Sequence, residues 1–304
     1  MAQADHQHHA LSTAFWLTAA FAVVELVGGF MANSLALLAD AGHMVSDVVA
    51  LGLAMFAGRI AGRPAHAQMT YGYGRAKVLA AQANGLMLWF LSGWIVWEAA
   101  GRLAHPPVVH GGMVLWIAAA GLLINLVIMR WLHGSHDINT RAAYWHVLGD
   151  ALGSVAAMVA GGVILLTGWM PIDPILSFIV AGILAWGGWR LVRETTLELM
   201  EAAPQEVDSD TLAAVIQSVD GVCEIHHIHL WRLPEGKLAM SAHIRIDNME
   251  QWPELLPVLL ESLKQQQIDH ATLQPELTCY DDVSVSECLG NGCHATVRKG
   301  DSCV

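Results

Sequence analysis

The chain has 304 residues, 55% of them hydrophobic and only 14% charged, a balance that excludes an ordinary water-soluble globule and points to a membrane protein. A formal net charge of −12 argues against nucleic acid as a partner. Most of the acids fall in the last third of the chain, so that charge says little about the apolar part.

Residues 1–10 form a polar head with His6, His8 and His9, read as a solvated tail, with weak metal gathering as the alternative. The head lacks the basic stretch that opens a cleavable signal peptide. An apolar span follows over residues 11–31, long enough to cross about 30 Å of hydrocarbon. Glu25 and Asn33 interrupt the run. Glu25 reads most simply as a bundle-facing group bonded to a neighbour, with proton handling as the alternative.

The second span, residues 34–53, reads SLALLADAGHMVSDVVALGL. With 3.6 residues per turn, His43 and Asp47 at i and i+4 share a face, and Asp40 lies close by at i−3 from His43. A basic loop follows, with Arg59, Arg63, His66, Arg75 and Lys77. The third span, 78–101, carries Asn84 and Glu98; His105 and two prolines make a turn; the fourth span, 113–132, contains Asn125. After a short loop with His133 and His136, the fifth span, 141–167, repeats the His-x-x-x-Asp spacing at His146 and Asp150. The sixth, 171–191, has a proline-rich entry around Asp173.

Ionisable side chains in hydrocarbon cost about 2.5–3.5 kcal/mol each on insertion scales, so they persist where they face a bundle interior, a cavity or an ion path. Each pair could be an internal hydrogen bond or polar glue between helices. The same pair in two separate spans favours a shared four-coordinate site for a divalent metal, His43, Asp47, His146 and Asp150. Mixed nitrogen and carboxylate donors suit Zn²⁺ first, with Cd²⁺, Co²⁺ and Fe²⁺ behind it. Metal binding needs neutral histidine and ionised aspartate, so protons and metal compete for the same residues.

Six spans leave both termini on one side. The loops after the second, fourth and sixth spans hold Arg59, Arg63, Arg75, Lys77, Arg130, Arg141, Arg190 and Arg193, whereas the opposite loops hold essentially Arg102 alone, so the termini are expected in the cytoplasm.

Beyond Pro204 the pattern becomes that of a small soluble domain: a helix over 208–219, strands over 222–233 and 238–246, a helix over 252–267 and a strand over 271–278. That order is expected of a ferredoxin-like α+β unit with helices on one face of its sheet. Its histidines are His226, His227, His229, His243 and His270. In an alternating strand His227 and His229 share one face and His226 points to the other, so the three cannot serve one site within the strand. Solvated strand histidines and a cytosolic metal site both stay open. All five cysteines, Cys223, Cys279, Cys288, Cys293 and Cys303, lie in this polar third, where a reducing cytoplasm favours free or metal-binding thiols over disulfides. The Cys- and His-containing tail after residue 280 reads either as a flexible metal-scavenging segment or as plain disorder, with Cys288 and Cys293-His294 too loosely spaced for a zinc finger.

The segments SLALLADAGHMVSDVVAL, TYGYGRAKVLAA, HVLGDALGSV, DPILS, IHHIHLW and MSAHIRI together resemble the cation diffusion facilitator family, in its bacterial zinc-exporting branch, over about residues 11–280. The resemblance implies a homodimer in the cytoplasmic membrane that exports Zn²⁺ in exchange for H⁺, with zinc as substrate and regulatory ligand and no catalytic cofactor. Its intramembrane site falls on His43, Asp47, His146 and Asp150. Its cytoplasmic ligands fall on His226, His243 and Glu276, with His270 one place out of register. The expected architecture is a membrane all-α six-helix bundle with a C-terminal α+β ferredoxin-like cytoplasmic domain. Its parts are a head (1–10), a transport domain (11–200), the soluble domain (204–280) and a tail (281–304). A membrane-anchored metal sensor without transport is the alternative. An enzyme is not expected: His-x-x-x-Asp lacks the adjacent Glu of a HExxH helix, and no nucleophile and base stand out.

Overall fold

In a computed structural model the chain divides into two compact units, Met1–Ala57 with Leu79–Arg193, and Gly58–Val78 with Glu194–Val304. The structure describes residues 2–132, 138–204, 206–233, 236–277 and 297–298; the side chains of residues 2–15, 131–132, 138–143, 145–146 and 297–298 lie outside that description.

The first unit is helical: α1 (Ala2–Ala32), α2 (Leu35–Ala61), α3 (Ala76–Ala104), α4 (Gly111–Leu132), α5 (Ile138–Thr167) and α6 (Ile172–Leu199). Five of these, α2 to α6, are long and apolar enough to cross a membrane, and α1 adds a shorter apolar run, Trp16–Ala32. Large apolar side chains face outward, among them Phe90, Trp97, Trp116 and Leu166. That surface suits hydrocarbon and would be costly in water. The helices outrun the apolar segments that announce them. α2 continues to Ala61 and stops short of Pro64, whose ring disfavours a helical residue before it.

Lipid gives helices no hydrophobic reason to pair, so close crossings use small residues. A Cβ on Gly161 of α5 would meet the Leu115 nitrogen of α4 at 2.7 Å, and one on Gly188 of α6 would meet the Gly85 carbonyl of α3 at 2.9 Å. These are the crossings of α4 with α5 and of α3 with α6. Helix α2 joins both pairs. Its Leu37 packs in a core with Val114, Ala118 and Ala157 of α4 and α5, while its Leu35 and Ala39 pack with Ile95, Ala181 and Leu184 of α3 and α6.

Only Asn33 and Ser34 separate α1 from α2. Asn33 takes the left-handed conformation at φ 53° that ends α1, and the Arg102 guanidinium donates to its carbonyl at 2.7 Å. The start of α2 is then capped from another helix. The carboxylate of Asp173 on α6, fully buried, accepts from the Ser34 hydroxyl at 2.5 Å, from the Leu35 N–H at 2.7 Å and from the Ala36 N–H at 3.3 Å. Ser34 Oγ accepts in turn from the Leu37 N–H at 3.3 Å. Three N–H groups that a helix start leaves unpaired in the bundle, together with the Ser34 hydroxyl, are thereby satisfied.

In the second unit the order helix, strand, strand, helix, strand is as expected: α7 (Ser209–Gln217), β1 (Val222–Arg232), β2 (Leu238–Ile246), α8 (Trp252–Gln265) and β3 (Ile268–Glu276). Two residues of the expected tail add β4 (Val297–Arg298), giving a four-stranded sheet in the order β3-β2-β1-β4. β1 is antiparallel to β2 and β4, and β2 is parallel to β3. Asp208 caps α7, its carboxylate accepting from the Thr211 N–H at 3.0 Å. The core joins Leu212 and Ile216 of α7 and Leu259 and Leu263 of α8 to Ile225, Met240 and Ile244 of the sheet. Ser241, His243 and Arg245 alternate with these on β2, on the face away from the helices.

The interhelical cap predicts a stability ranking. Asp173→Ala leaves buried donors without their acceptor, each costing about 1–3 kcal/mol, and lowers the melting temperature of the detergent-solubilised protein by several degrees. Asp173→Asn, which keeps one carbonyl oxygen, falls between; a wild-type melting curve for Asp173→Ala would refute the cap.

Candidate metal centres

Helical periodicity puts Asp40, His43 and Asp47 on one face of α2, at successive turns. Asp40 is buried, and a Cβ on Gly153 of α5 would stand 2.7 Å from its Oδ1, so α2 lies directly against α5 at Asp40. Asp150, also buried, lies one turn earlier on α5. Asp40, Asp150 and the buried Glu25 of α1 are within electrostatic reach of one another. Three carboxyl groups so placed raise one another's cost in an apolar interior, a cost that donors, protons or a cation can offset. His43 and Asp47 are half-buried, and His43 Nε2 stands 3.6 Å from Asp47 Oδ2, beyond hydrogen-bond distance. His146 lies on α5 one turn before Asp150, with its side chain outside the described residues.

The soluble unit carries a second group. Ring nitrogens of His226, His227 and His243 lie within 4.8 Å of one another, and the ring centroids are 5.0–5.4 Å apart. Glu276 of β3 spans two of them, with Oε1 2.7 Å from His243 Nδ1 and Oε2 3.2 Å from His226 Nε2. The convergence of His226 and His227 overturns the expectation that they point to opposite faces. His226 pairs with His243 and His229 with Ser241, so two residues of β1 oppose one of β2, which is a β-bulge. His227 sits in it at φ 51°, a left-handed conformation that few residues other than glycine adopt. The extra residue keeps both Ile225 and Ile228 against the core and lets His227 swing to the side of His226. Burial, and behind it the neighbouring His226 and His243, hold the His227 imidazole below its ordinary pKa, with Glu276 opposing. The neutral ring so favoured is the form that binds metal.

The remaining candidates stand apart from these groups. His270 is exposed and pairs with Ala239, whereas the β3 residue opposite His243 is Gln274, so the strand does not bring His270 to the cluster. His66 has both ring nitrogens engaged: Nδ1 accepts from the Gln68 N–H at 3.3 Å, and Nε2 lies 2.8 Å from the Tyr73 hydroxyl. That is a turn-stabilising histidine. Cys223 is a buried free thiol that donates to Asp247 Oδ1 at 3.1 Å, while Cys279, Cys288, Cys293 and Cys303 fall outside the described residues, as do His133 and His136.

The contact of Asp40 with α5 predicts a contrast between two glycines on one helix. Gly153→Ala drives a methyl group into the Asp40 carboxylate, whereas Gly149→Ala, one turn earlier with nothing within 4 Å, adds a methyl group to open space. Zinc titration of the purified variants against a chromogenic chelator is expected to show tight binding in the membrane unit weakened at least tenfold, about 1.4 kcal/mol, by Gly153→Ala and unchanged by Gly149→Ala. Equal affinities would mean that the approach of α2 to α5 has no part in the site.

The chain matches the cation efflux transmembrane domain over residues 11–200 and the cytoplasmic domain of cation efflux proteins over residues 204–276. It is 44% identical over 278 residues to a zinc transporter ZitB of Pectobacterium atrosepticum, covering 90% of this chain and 86% of the relative. It is 40% identical to ZitB of Escherichia coli K12, covering 95% and 91%. A cadmium, cobalt and zinc/H(+)-K(+) antiporter of Bacillus subtilis is 34% identical over 89% of both chains. With both of its domains matched and its helices apolar enough for several membrane crossings, the chain belongs to the cation efflux, or cation diffusion facilitator, family of multi-pass metal cation transporters.

Proposed function

We propose that the chain is a six-span Zn²⁺/H⁺ antiporter of the cytoplasmic (inner) membrane that works as a homodimer, with both termini and a ferredoxin-like domain in the cytoplasm. Zn²⁺ is carried at a four-ligand site formed by His43, Asp47, His146 and Asp150. The observation that carries this reading is the seating of Asp40, on the helix of His43 and Asp47, against Gly153, one turn from Asp150 on the helix of His146. The names of the relatives, zinc transporter and cadmium, cobalt and zinc/H(+)-K(+) antiporter, support zinc as the cargo and protons as the counter-ion.

The chemistry of exchange follows from the donor set. Two carboxylates and two neutral imidazoles bind Zn²⁺ with no net charge left over, whereas the empty site gains protons to offset its buried carboxylates. One site therefore holds either the metal or the protons, and a change of access between the two loadings yields antiport. Asp40 and Glu25 lie beside this site and supply further carboxylates to the same electrostatic cluster. In the soluble domain His226 and His243, with Glu276 against both, bind zinc as a regulator, since they lie past the last membrane helix. Zinc bound there acts by favouring one arrangement of the two protomers' domains over another.

Zinc uptake into inverted vesicles under an imposed proton gradient tests both assignments. The wild type is expected to take up zinc, Asp47→Ala and Asp150→Ala to take up none, and His226→Ala with His243→Ala to retain uptake with an altered zinc dependence. Gradient-independent zinc binding without uptake by the wild type would instead support a sensor, and a double histidine variant as inactive as Asp150→Ala, while inserted and dimeric, would end the regulatory assignment.

A further inference from the structure

We propose that His227 is a metal ligand delivered by the β1 bulge, so that the outer face of the sheet holds a divalent transition-metal ion between three imidazoles, His226, His227 and His243. Glu276 is the carboxylate that orients two of them. The proposal rests on the reading of this domain as a zinc-binding regulator and adds a residue that the family pattern leaves out.

Three observations on different levels converge on His227. The first is backbone strain. A left-handed non-glycine residue costs about 1–3 kcal/mol and persists only where the surroundings hold it, as happens most often at binding sites. The second is side-chain geometry. A tetrahedral ion with Zn–N distances near 2.0–2.1 Å sets its nitrogens about 3.3 Å apart, and one ring nitrogen from each of the three histidines already lies within 4.8 Å of the others. The third is the state of the ring nitrogens. Nδ1 of His226 and Nδ1 of His227 are both buried without a hydrogen-bond partner among the described residues, an arrangement that is costly unless a cation takes up the lone pairs.

The donor set also fixes the class of ligand. Three neutral nitrogens with one nearby carboxylate suit Zn²⁺ or Co²⁺, whereas Mg²⁺ and Ca²⁺ prefer oxygen. Glu276, holding His226 and His243 at 3.2 and 2.7 Å, fixes their ring orientations in the way that outer carboxylates do for metal-bound histidines. The site also spans β1, β2 and β3, because His226 and His227 come from the first, His243 from the second and Glu276 from the third. An ion held there ties together strands that a bulge would otherwise loosen.

The full chain in detergent, carrying Asp47→Ala and Asp150→Ala to silence the membrane site, is the protein to test, with Co²⁺ as optical probe and Zn²⁺ as competitor. His227→Gly removes the imidazole and suits the left-handed backbone, so its melting temperature without metal is expected to be unchanged or raised. Its Zn²⁺ affinity at the domain site is expected to fall tenfold or more, with a changed visible Co²⁺ spectrum. His227→Asn, also tolerant of that conformation and a poor zinc ligand, is expected to lose affinity equally. If His227→Gly binds both metals as its parent does while His226→Ala with His243→Ala loses one equivalent, the regulatory site stands and His227 is not its ligand. If the double histidine variant also binds like its parent, both the regulatory reading and this proposal fall.

Discussion

A carboxylate buried among apolar side chains has to be met by donors or by a cation, and helix α2 meets that requirement in two ways along its length. At its N-terminus the Asp173 carboxylate is met permanently, by the Ser34 hydroxyl and the first backbone N–H groups of the helix. In its middle, Asp40 lies within electrostatic reach of Asp150 and Glu25, like charges that a bound cation or protons would offset. The capped end holds α2 to α6 while Asp40 faces α5, and α2 contributes to the cores of both helix groups.

The two proposed metal centres differ in the charge they offer. The proposed membrane site draws on carboxylates as well as imidazoles, which suits the proposed trade of a divalent cation for protons. The sheet site is built around imidazoles with Glu276 behind them, and its occupancy need only report the metal concentration on one side.

Much of this was legible in the sequence because it depended on period and spacing. Apolar runs gave the helices, the repeated His-x-x-x-Asp marked α2 and α5, and the order of elements in the soluble domain followed from alternating patterns and turn residues. What escaped depended on features with no periodic signature. A one-residue bulge cannot be read from alternation, since alternation assumes there is none, and so His226 and His227 were expected on opposite faces; their convergence needed the left-handed backbone at His227. Asp173 stood out only as part of a proline-rich helix entry, and its capping role required knowing that α6 meets the start of α2. The neighbourhood of Glu25, Asp40 and Asp150 likewise depends on tertiary packing, with acids inside three apolar segments as the only hint.

The central claim is that zinc and protons occupy the same membrane site in turn. It is tested most directly by calorimetric titration of zinc into a His226→Ala, His227→Ala, His243→Ala variant near neutral pH, in buffers of different ionisation enthalpy. The account predicts a binding heat that changes linearly with that enthalpy, with a slope of roughly one proton or more released per zinc, and loss of this binding in the further variant Asp47→Ala with Asp150→Ala. Zinc binding with the same heat in every buffer would contradict it.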